Sequence, residues 1–269
     1  MNTLRSLHWP EYLMEAAGLG IFMVSAGTFG TLLEYPPSPV RQALPNGFLR
    51  LVLMGMFMGL TAIGIFYSPW GKRSGAHINP AVTLTFYRLG KVKRTDAVFY
   101  MIFQCFGGLA GVLLVKVLLG HAFTDMPVRY VVTVPQQGNI RAFGVEILIA
   151  FCMMTMVLHT TNRPRWARYT SIIAGSMVWL YVVTTGPVSG FGMNPARTLA
   201  SAVPANVWTA FWIYLLAPVT GMLTAADVYR RMNRVPTVKC AKMHHHNNQP
   251  CIFNCGYAQH EPTAVQDLQ

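Results

Sequence analysis

Charge is what this sequence has least of. Only 11% of its 269 residues are Asp, Glu, Lys or Arg, and only nine are acidic. A soluble domain carries roughly 25% charged residues. With a mean hydropathy of +0.37, the chain reads as a polytopic membrane protein, and a soluble enzyme is excluded. The shortage of acids also narrows the transport chemistry. A coupled carrier needs a titratable or ion-binding group in its lumen, and Glu15 and Glu146 are the only candidates. Cysteine is scarce too, at five residues. Cys105 and Cys152 fall in apolar stretches without an evident partner and read as small packing residues. There is no Asn-x-Ser/Thr acceptor. The polar first ten residues run into an apolar stretch without a small-residue cleavage site, so no cleaved leader is expected.

What the chain has in quantity is apolar sequence and positive charge. A span takes about 20 apolar residues, and six fit, at about 12–33, 48–67, 97–119, 142–161, 170–185 and 207–229. The net charge of +12 could point to nucleic acid, but no separate basic domain exists to carry it. The basic residues cluster instead at Lys72 and Arg73, at Arg88 to Arg94, at Arg163 to Arg168 and from Arg230 to Lys242. With both termini inside, these clusters and Arg5 place fifteen of the 21 Lys and Arg on the cytoplasmic side, which is the positive-inside bias. The expected location is the plasma (inner) membrane.

Two stretches organise the rest. Gly75-Ala76-His77-Ile78-Asn79-Pro80-Ala81-Val82-Thr83-Leu84 and Gly190-Phe191-Gly192-Met193-Asn194-Pro195-Ala196-Arg197-Thr198-Leu199 match at six of ten positions and lie 115 residues apart. Asn is a good helix N-cap and Pro is favoured at the first helical position. Each box therefore predicts the start of a helix too short to cross a membrane. Glu15 and Glu146 open the first span of each half, so the repeat covers whole halves, about 11–119 and 142–229. One half-helix enters from each side, which makes the repeats inverted.

Two Asn-Pro-Ala boxes, the second followed by Arg197, resemble the major intrinsic proteins, the aquaporins and glycerol facilitators. The resemblance runs from about residue 11 to 230. It implies an all-α membrane protein of six transmembrane helices plus two re-entrant half-helices, with a channel domain at 1–235. It also implies a homotetramer in the lipid bilayer, passive passage of water, and no cofactor or covalent chemistry. In such a pore Asn79 and Asn194 turn amide N–H groups toward the lumen and interrupt a proton wire, while Arg197 and the helix dipoles repel cations. Alignment to the family puts the other selectivity-filter positions at Met58, Val182 and Phe191. Water channels usually carry an aromatic and a histidine where Met58 and Val182 stand, so a wider, less polar constriction is expected. Phe191 resembles the glycerol facilitators. Thr198 and Ala202 resemble the water channels, as does Tyr214, whereas Leu215 replaces their Trp. Glu15 and Glu146 are expected to hold the box loops, and His77 to fix the first loop or line the inner pore.

Three alternatives remain. One is an aquaglyceroporin-type channel for glycerol, urea, ammonia or hydrogen peroxide. The second is a coupled transporter. The third is a junction or scaffold protein without conduction, against which Asn79, Asn194 and Arg197 argue. Outside the resemblance, the tail at 236–269 carries Cys240, His244, His245, His246, Cys251 and Cys255. Cys and His suit zinc, nickel or copper, so the tail is a candidate transition-metal sensor or gate, although its spacing matches no standard zinc pattern.

Overall fold

The computed structural model describes residues 7–232, 238–245 and 247–257. In chain order its main helices are α1 (Trp9–Glu34), α2 (Gly47–Tyr67), α3 (Pro80–Arg88), α4 (Arg94–Leu119), α5 (Asn139–Thr161), α6 (Thr170–Ser189), α7 (Pro195–Ala205) and α8 (Phe211–Met232). All but α3 and α7 are long and apolar enough to cross a membrane. At 1.5 Å per residue, α3 and α7 reach roughly half-way through a hydrocarbon core of about 30 Å.

The packing has two-fold pseudosymmetry. Helix α1 packs on α4 and α5 on α8, each within its own half. Between the halves α2 packs on α6, α3 leans on α8 and α7 leans on α4. Glycine makes these crossings close. A Cβ on Gly107 of α4 would stand 2.0 Å from the Ala16 carbonyl oxygen of α1. One on Gly59 would stand 2.6 Å from the Gly175 oxygen, and one on Gly221 2.4 Å from the Ile147 oxygen. No side-chain rotation relieves a clash with backbone. Gly107→Val is therefore expected to destabilise the chain by about 3 kcal/mol, read as a lower melting temperature in detergent. Unchanged melting would show that α1 and α4 can separate at no cost.

Two boundaries differ from the sequence reading by a full helical turn. Helix α6 runs on past Gly186 and Pro187 to Ser189. Pro187 has no N–H for the Val183 carbonyl, yet the helix continues, with Thr184 Oγ1 bonded back to the Leu180 carbonyl and Thr185 Oγ1 to that of Tyr181, and left-handed Gly190 closes it. Helix α8 starts at Phe211 rather than near residue 207, because Ala210 is left-handed (φ 49°). The long connection before α5 contains two short turns, His121–Thr124 and Arg129–Val131. It folds back on the second box loop, where Gln136 and Gln137 N–H groups donate to the Val188 carbonyl.

The expected junction at 235/236 lies outside the described residues. Beyond it the tail packs on the channel helices. Tyr257 Oη donates to the Thr161 carbonyl at the end of α5, and Asn254 Nδ2 to the Gly90 carbonyl after α3. The Met243 N–H donates to the Gly75 carbonyl before the first box. Burial pushes the Tyr257 hydroxyl up to about 12, so it stays a donor at any ordinary pH.

Candidate functional site

Each box begins with an asparagine that caps its own half-helix. Asn79 Oδ1 accepts from the Ala81 N–H at 2.9 Å. Asn194 Oδ1 accepts from the Ala196 and Arg197 N–H groups at 3.0 and 3.2 Å. Pro80 and Pro195 take the first helical position, where a missing N–H costs nothing. Ala81 and Ala196 are wholly buried. The two caps also hold each other's loops. Asn79 Nδ2 donates to the Met193 carbonyl at 2.9 Å, and Asn194 Nδ2 to the Ile78 carbonyl at 2.7 Å. The positive ends of α3 and α7 thus meet head to head. A side-chain amide has two N–H donors. One is committed across the loops, so each asparagine has one left for the lumen.

The loops ahead of the caps share an unusual backbone. Gly75, Ala76 and Ile78 have φ of 93°, 52° and 41°, and Gly190, Phe191 and Met193 have 79°, 50° and 49°. Left-handed geometry costs a residue with a Cβ roughly 1–2 kcal/mol. Two buried carboxylates offset it. Glu15 accepts from Ser74 Oγ (2.8 Å), the His77 N–H (3.0 Å), the Ile78 N–H (2.6 Å) and Gln104 Nε2 (2.8 Å). Glu146 accepts from Ser189 Oγ (2.7 Å), the Gly192 N–H (2.9 Å) and the Met193 N–H (2.6 Å). A tyrosine completes each half, with Tyr100 Oη on the Ser74 carbonyl and Tyr214 Oη on that of Ser189. Every hydrogen bond on these carboxylates goes to a loop or helix donor, which is a holding role.

Ser74, Ser189 and Tyr100 were not singled out from the sequence. A signal existed for the serines: extending the box repeat by one residue pairs Ser74-Gly75 with Ser189-Gly190. Nothing local marks Tyr100, whose partner is 26 residues away.

Between the loops lies a narrow cavity of about 80 Å³, lined by Asn79, Asn194, Phe191 and Arg197, with walls that include Phe22, Val178 and Met222. At about 10–15 Å³ for each water-sized position, it takes a short file of waters. Arg197 Nη1 is buried without an acceptor among the described residues, so a donor is left for whatever occupies the cavity. The four filter positions divide. Phe191 and Arg197 line the cavity. Met58 and Val182 are buried one helical turn from Ala62 and Val178, which line it, and are not themselves in its wall.

His77 lies at the other end, 1% exposed. Its Nε2 is 2.8 Å from the Ala241 carbonyl and its Nδ1 3.0 Å from Thr83 Oγ1. A carbonyl only accepts, so Nε2 carries the proton and Nδ1 accepts from the Thr83 hydroxyl. The imidazole stacks between Phe86 and Phe253. It is the backbone N–H of His77 that fastens the loop to Glu15, while its ring reaches the tail. Met243 of the tail lines the same cavity, a placement nothing in the sequence pattern announced.

Of the six tail candidates, four come together. The ligating atoms of Cys240, His245, Cys251 and Cys255 all lie within 4.8 Å of one another. His244 points elsewhere, edge-on to Tyr67 at 5.0 Å. His246 lies outside the described residues.

A family model described as Major intrinsic protein matches residues 5–229. The chain is similar to a probable aquaporin NIP-type of Nicotiana alata, 35% identical over 172 residues, or 64% of this chain and 62% of that protein. It is also similar to aquaporin NIP2-2 of Zea mays, 37% identical over 186 residues, or 67% of this chain and 60% of that one. The chain thus spans about six-tenths of the length of these curated relatives. Among solved structures, the aquaglyceroporin from Plasmodium falciparum superposes with a TM-score of 0.69 at 20% identity, covering 83% of this chain and 96% of that one. At that identity the likeness concerns the fold.

Proposed function

The chain belongs to the major intrinsic protein family, an integral multi-pass membrane protein of the aquaporin fold, and from that premise we propose that it conducts water passively in single file. The observation that carries this reading is the pair of asparagine caps lining one narrow cavity. A water oxygen between them accepts one amide hydrogen from each side. It then cannot also accept from a neighbouring water, so a proton wire breaks there, as aquaporin-type pores do generally. The two dipole ends and the guanidinium of Arg197 repel hydronium and metal cations. Asn79, Pro80, Ala81, Asn194, Pro195 and Ala196 form the central constriction. Phe191 and Arg197 form the filter at one mouth, with Met58 and Val182 one helical turn beyond the cavity wall completing it toward the outside, and Glu15, Glu146 and His77 hold the loops. Large apolar residues exposed on the helices, such as Phe106, Val117, Leu148 and Leu216, fit lipid and the neighbours of a homotetramer. The native setting is the plasma membrane with both termini cytoplasmic.

A second reading, a channel that also passes small neutral solutes such as glycerol, rests on one observation. The filter side chains other than Arg197 offer no hydrogen-bond donor, and the cavity wall is mostly apolar. Liposomes containing the full chain, treated with a metal chelator, separate the readings in an osmotic jump. Fast water efflux with slow glycerol entry supports the water channel. Rapid glycerol entry supports the second reading. Water flux no faster than in empty liposomes overturns both.

A further inference from the structure

We propose that Cys240, His245, Cys251 and Cys255 form a tetrahedral zinc site that clamps the tail across the His77 mouth of the pore, so that zinc closes the channel. The gating half of this rests on the pore reading above; the metal half does not.

The donor set comes first. Three thiolates and one imidazole, with no fifth ligand among the described residues, suit a closed, structural zinc site. With Zn–S near 2.3 Å and Zn–N near 2.0 Å, the edges of such a tetrahedron measure about 3.5–3.8 Å. Cys240 Sγ lies 3.5 Å from Cys251 Sγ, and Cys255 Sγ 3.6 Å from His245 Nε2. These are two opposite edges of one tetrahedron.

Charge is the second argument. Lys242 is 1% exposed, and among the described residues its ammonium donates to the carbonyls of Gln249 and Pro250. A buried cation needs a compensating negative charge nearby. Three thiolates on a divalent ion carry one net negative charge, and Lys242 sits two residues from the first of them. Zinc thus accounts for both the cluster and the buried lysine.

The third argument is position. Cys240 and His245 bracket the segment that crosses the mouth. Between them Ala241 accepts the His77 proton, and Met243 pairs with the Gly75 carbonyl and lines the cavity that Asn79 and Asn194 line. Cys251 and Cys255 bracket Phe253, which stacks on His77. Apart from a turn at Tyr257, the described tail contains no regular helix or strand. A segment without a backbone ladder is held by its cross-link, and metal binding energy becomes folding energy there. Zinc that binds only the docked tail shifts the equilibrium in proportion to its excess over Kd.

The test uses the full chain with its thiols reduced. Titration with Co(II), followed by Zn(II), is expected to give one metal per chain, with thiolate charge-transfer and tetrahedral d–d absorption that zinc erases. In liposomes, stoichiometric zinc is expected to slow osmotic shrinkage by about tenfold or more, and chelator to restore it. Cys251→Ser with Cys255→Ser should lose both the spectrum and the zinc response while shrinking as fast as the chelated protein. Met243→Ala should keep the spectrum and leak in the presence of zinc. Absence of stoichiometric metal overturns the site. Metal bound with equal flux with and without chelator overturns the gate. No flux in any form, chelated and double-serine proteins included, overturns the pore reading and the gate with it, while the spectrum still decides the site.

Discussion

Glu15→Leu is expected to abolish water flux and to lower the melting temperature more than any other single change in the box loops. The carboxylate takes four hydrogen bonds in a site with no exposure at all. Leucine fills a similar volume and accepts none. Leaving one buried donor unsatisfied costs about 1–3 kcal/mol, and two of the four donors are backbone N–H groups that have nowhere else to turn. They belong to His77 and Ile78, so the left-handed turn at Ile78 loses its anchor just before Asn79. The Asn79 cap and its bond to Met193 move with it. Even with relaxation the loss should be about 4 kcal/mol or more. Glu15→Gln keeps one acceptor oxygen and points an amide at donors, so it should fall between the parent and the leucine variant. Glu146→Leu frees three donors rather than four, because among the described residues no side chain corresponding to Gln104 reaches it, and on hydrogen bonds alone should be the milder of the pair. Melting in detergent, with flux per reconstituted protein, reads the order. A Glu15→Leu chain that melts and conducts like the parent would mean that the loops hold themselves and that the carboxylates are bystanders.

How far the sequence led depends on whether the decisive contact is local. The two caps and the lengths of α3 and α7 were legible because an N-cap, an N1 proline and the helix they start are neighbours in the chain. The spans were legible because hydropathy is a property of a window. The roles of Glu15 and Glu146 came from family resemblance, and their donors could not be read locally: Ser74 lies 59 residues from Glu15 and Gln104 lies 89. The end of α6 differs from the sequence reading because Gly186-Pro187 is a stop signal in isolation, whereas a membrane-spanning helix tolerates a proline near its end when the packing around it holds the turn. The tail illustrates the limit best. Its Cys and His content was visible as composition, yet which four residues meet is set by a fold anchored on helix ends more than seventy residues away, such as the Asn162 side chain that receives the Lys239 N–H. That Met243 reaches the cavity between the boxes follows from the same anchoring and from nothing in its own neighbourhood.

Arg197→Ala is the second large effect, and it acts mainly on selectivity. Among the described residues the guanidinium makes no ion pair at contact distance and its Nη1 has no acceptor, but its charge acts favourably on the buried Glu146 carboxylate. Its loss therefore leaves no acceptor orphaned, while some stability goes with the lost countercharge. The larger effect of the charge is on the path. At an effective dielectric near 20, a fixed positive charge about 5 Å from the path raises the energy of a monovalent cation by roughly 3 kcal/mol. Removing it should raise cation leak by about 100-fold, since every 1.4 kcal/mol is a factor of ten. The dipole ends of α3 and α7 remain, so the leak stays far below that of an open cation channel. Alanine also removes bulk from the wall that Phe191 shares, and the ratio of glycerol to water permeability should climb in the same preparation. Arg197→Lys separates the two causes. It keeps the charge and loses the planar fork of donors, so cations stay excluded while the solute ratio shifts. Chelator-treated liposomes loaded with a pH-sensitive dye read proton leak and shrinkage side by side. If alanine leaves both proton leak and the glycerol-to-water ratio where they were, Arg197 does not face the conducting path, and the constriction must be assigned to the asparagine pair alone.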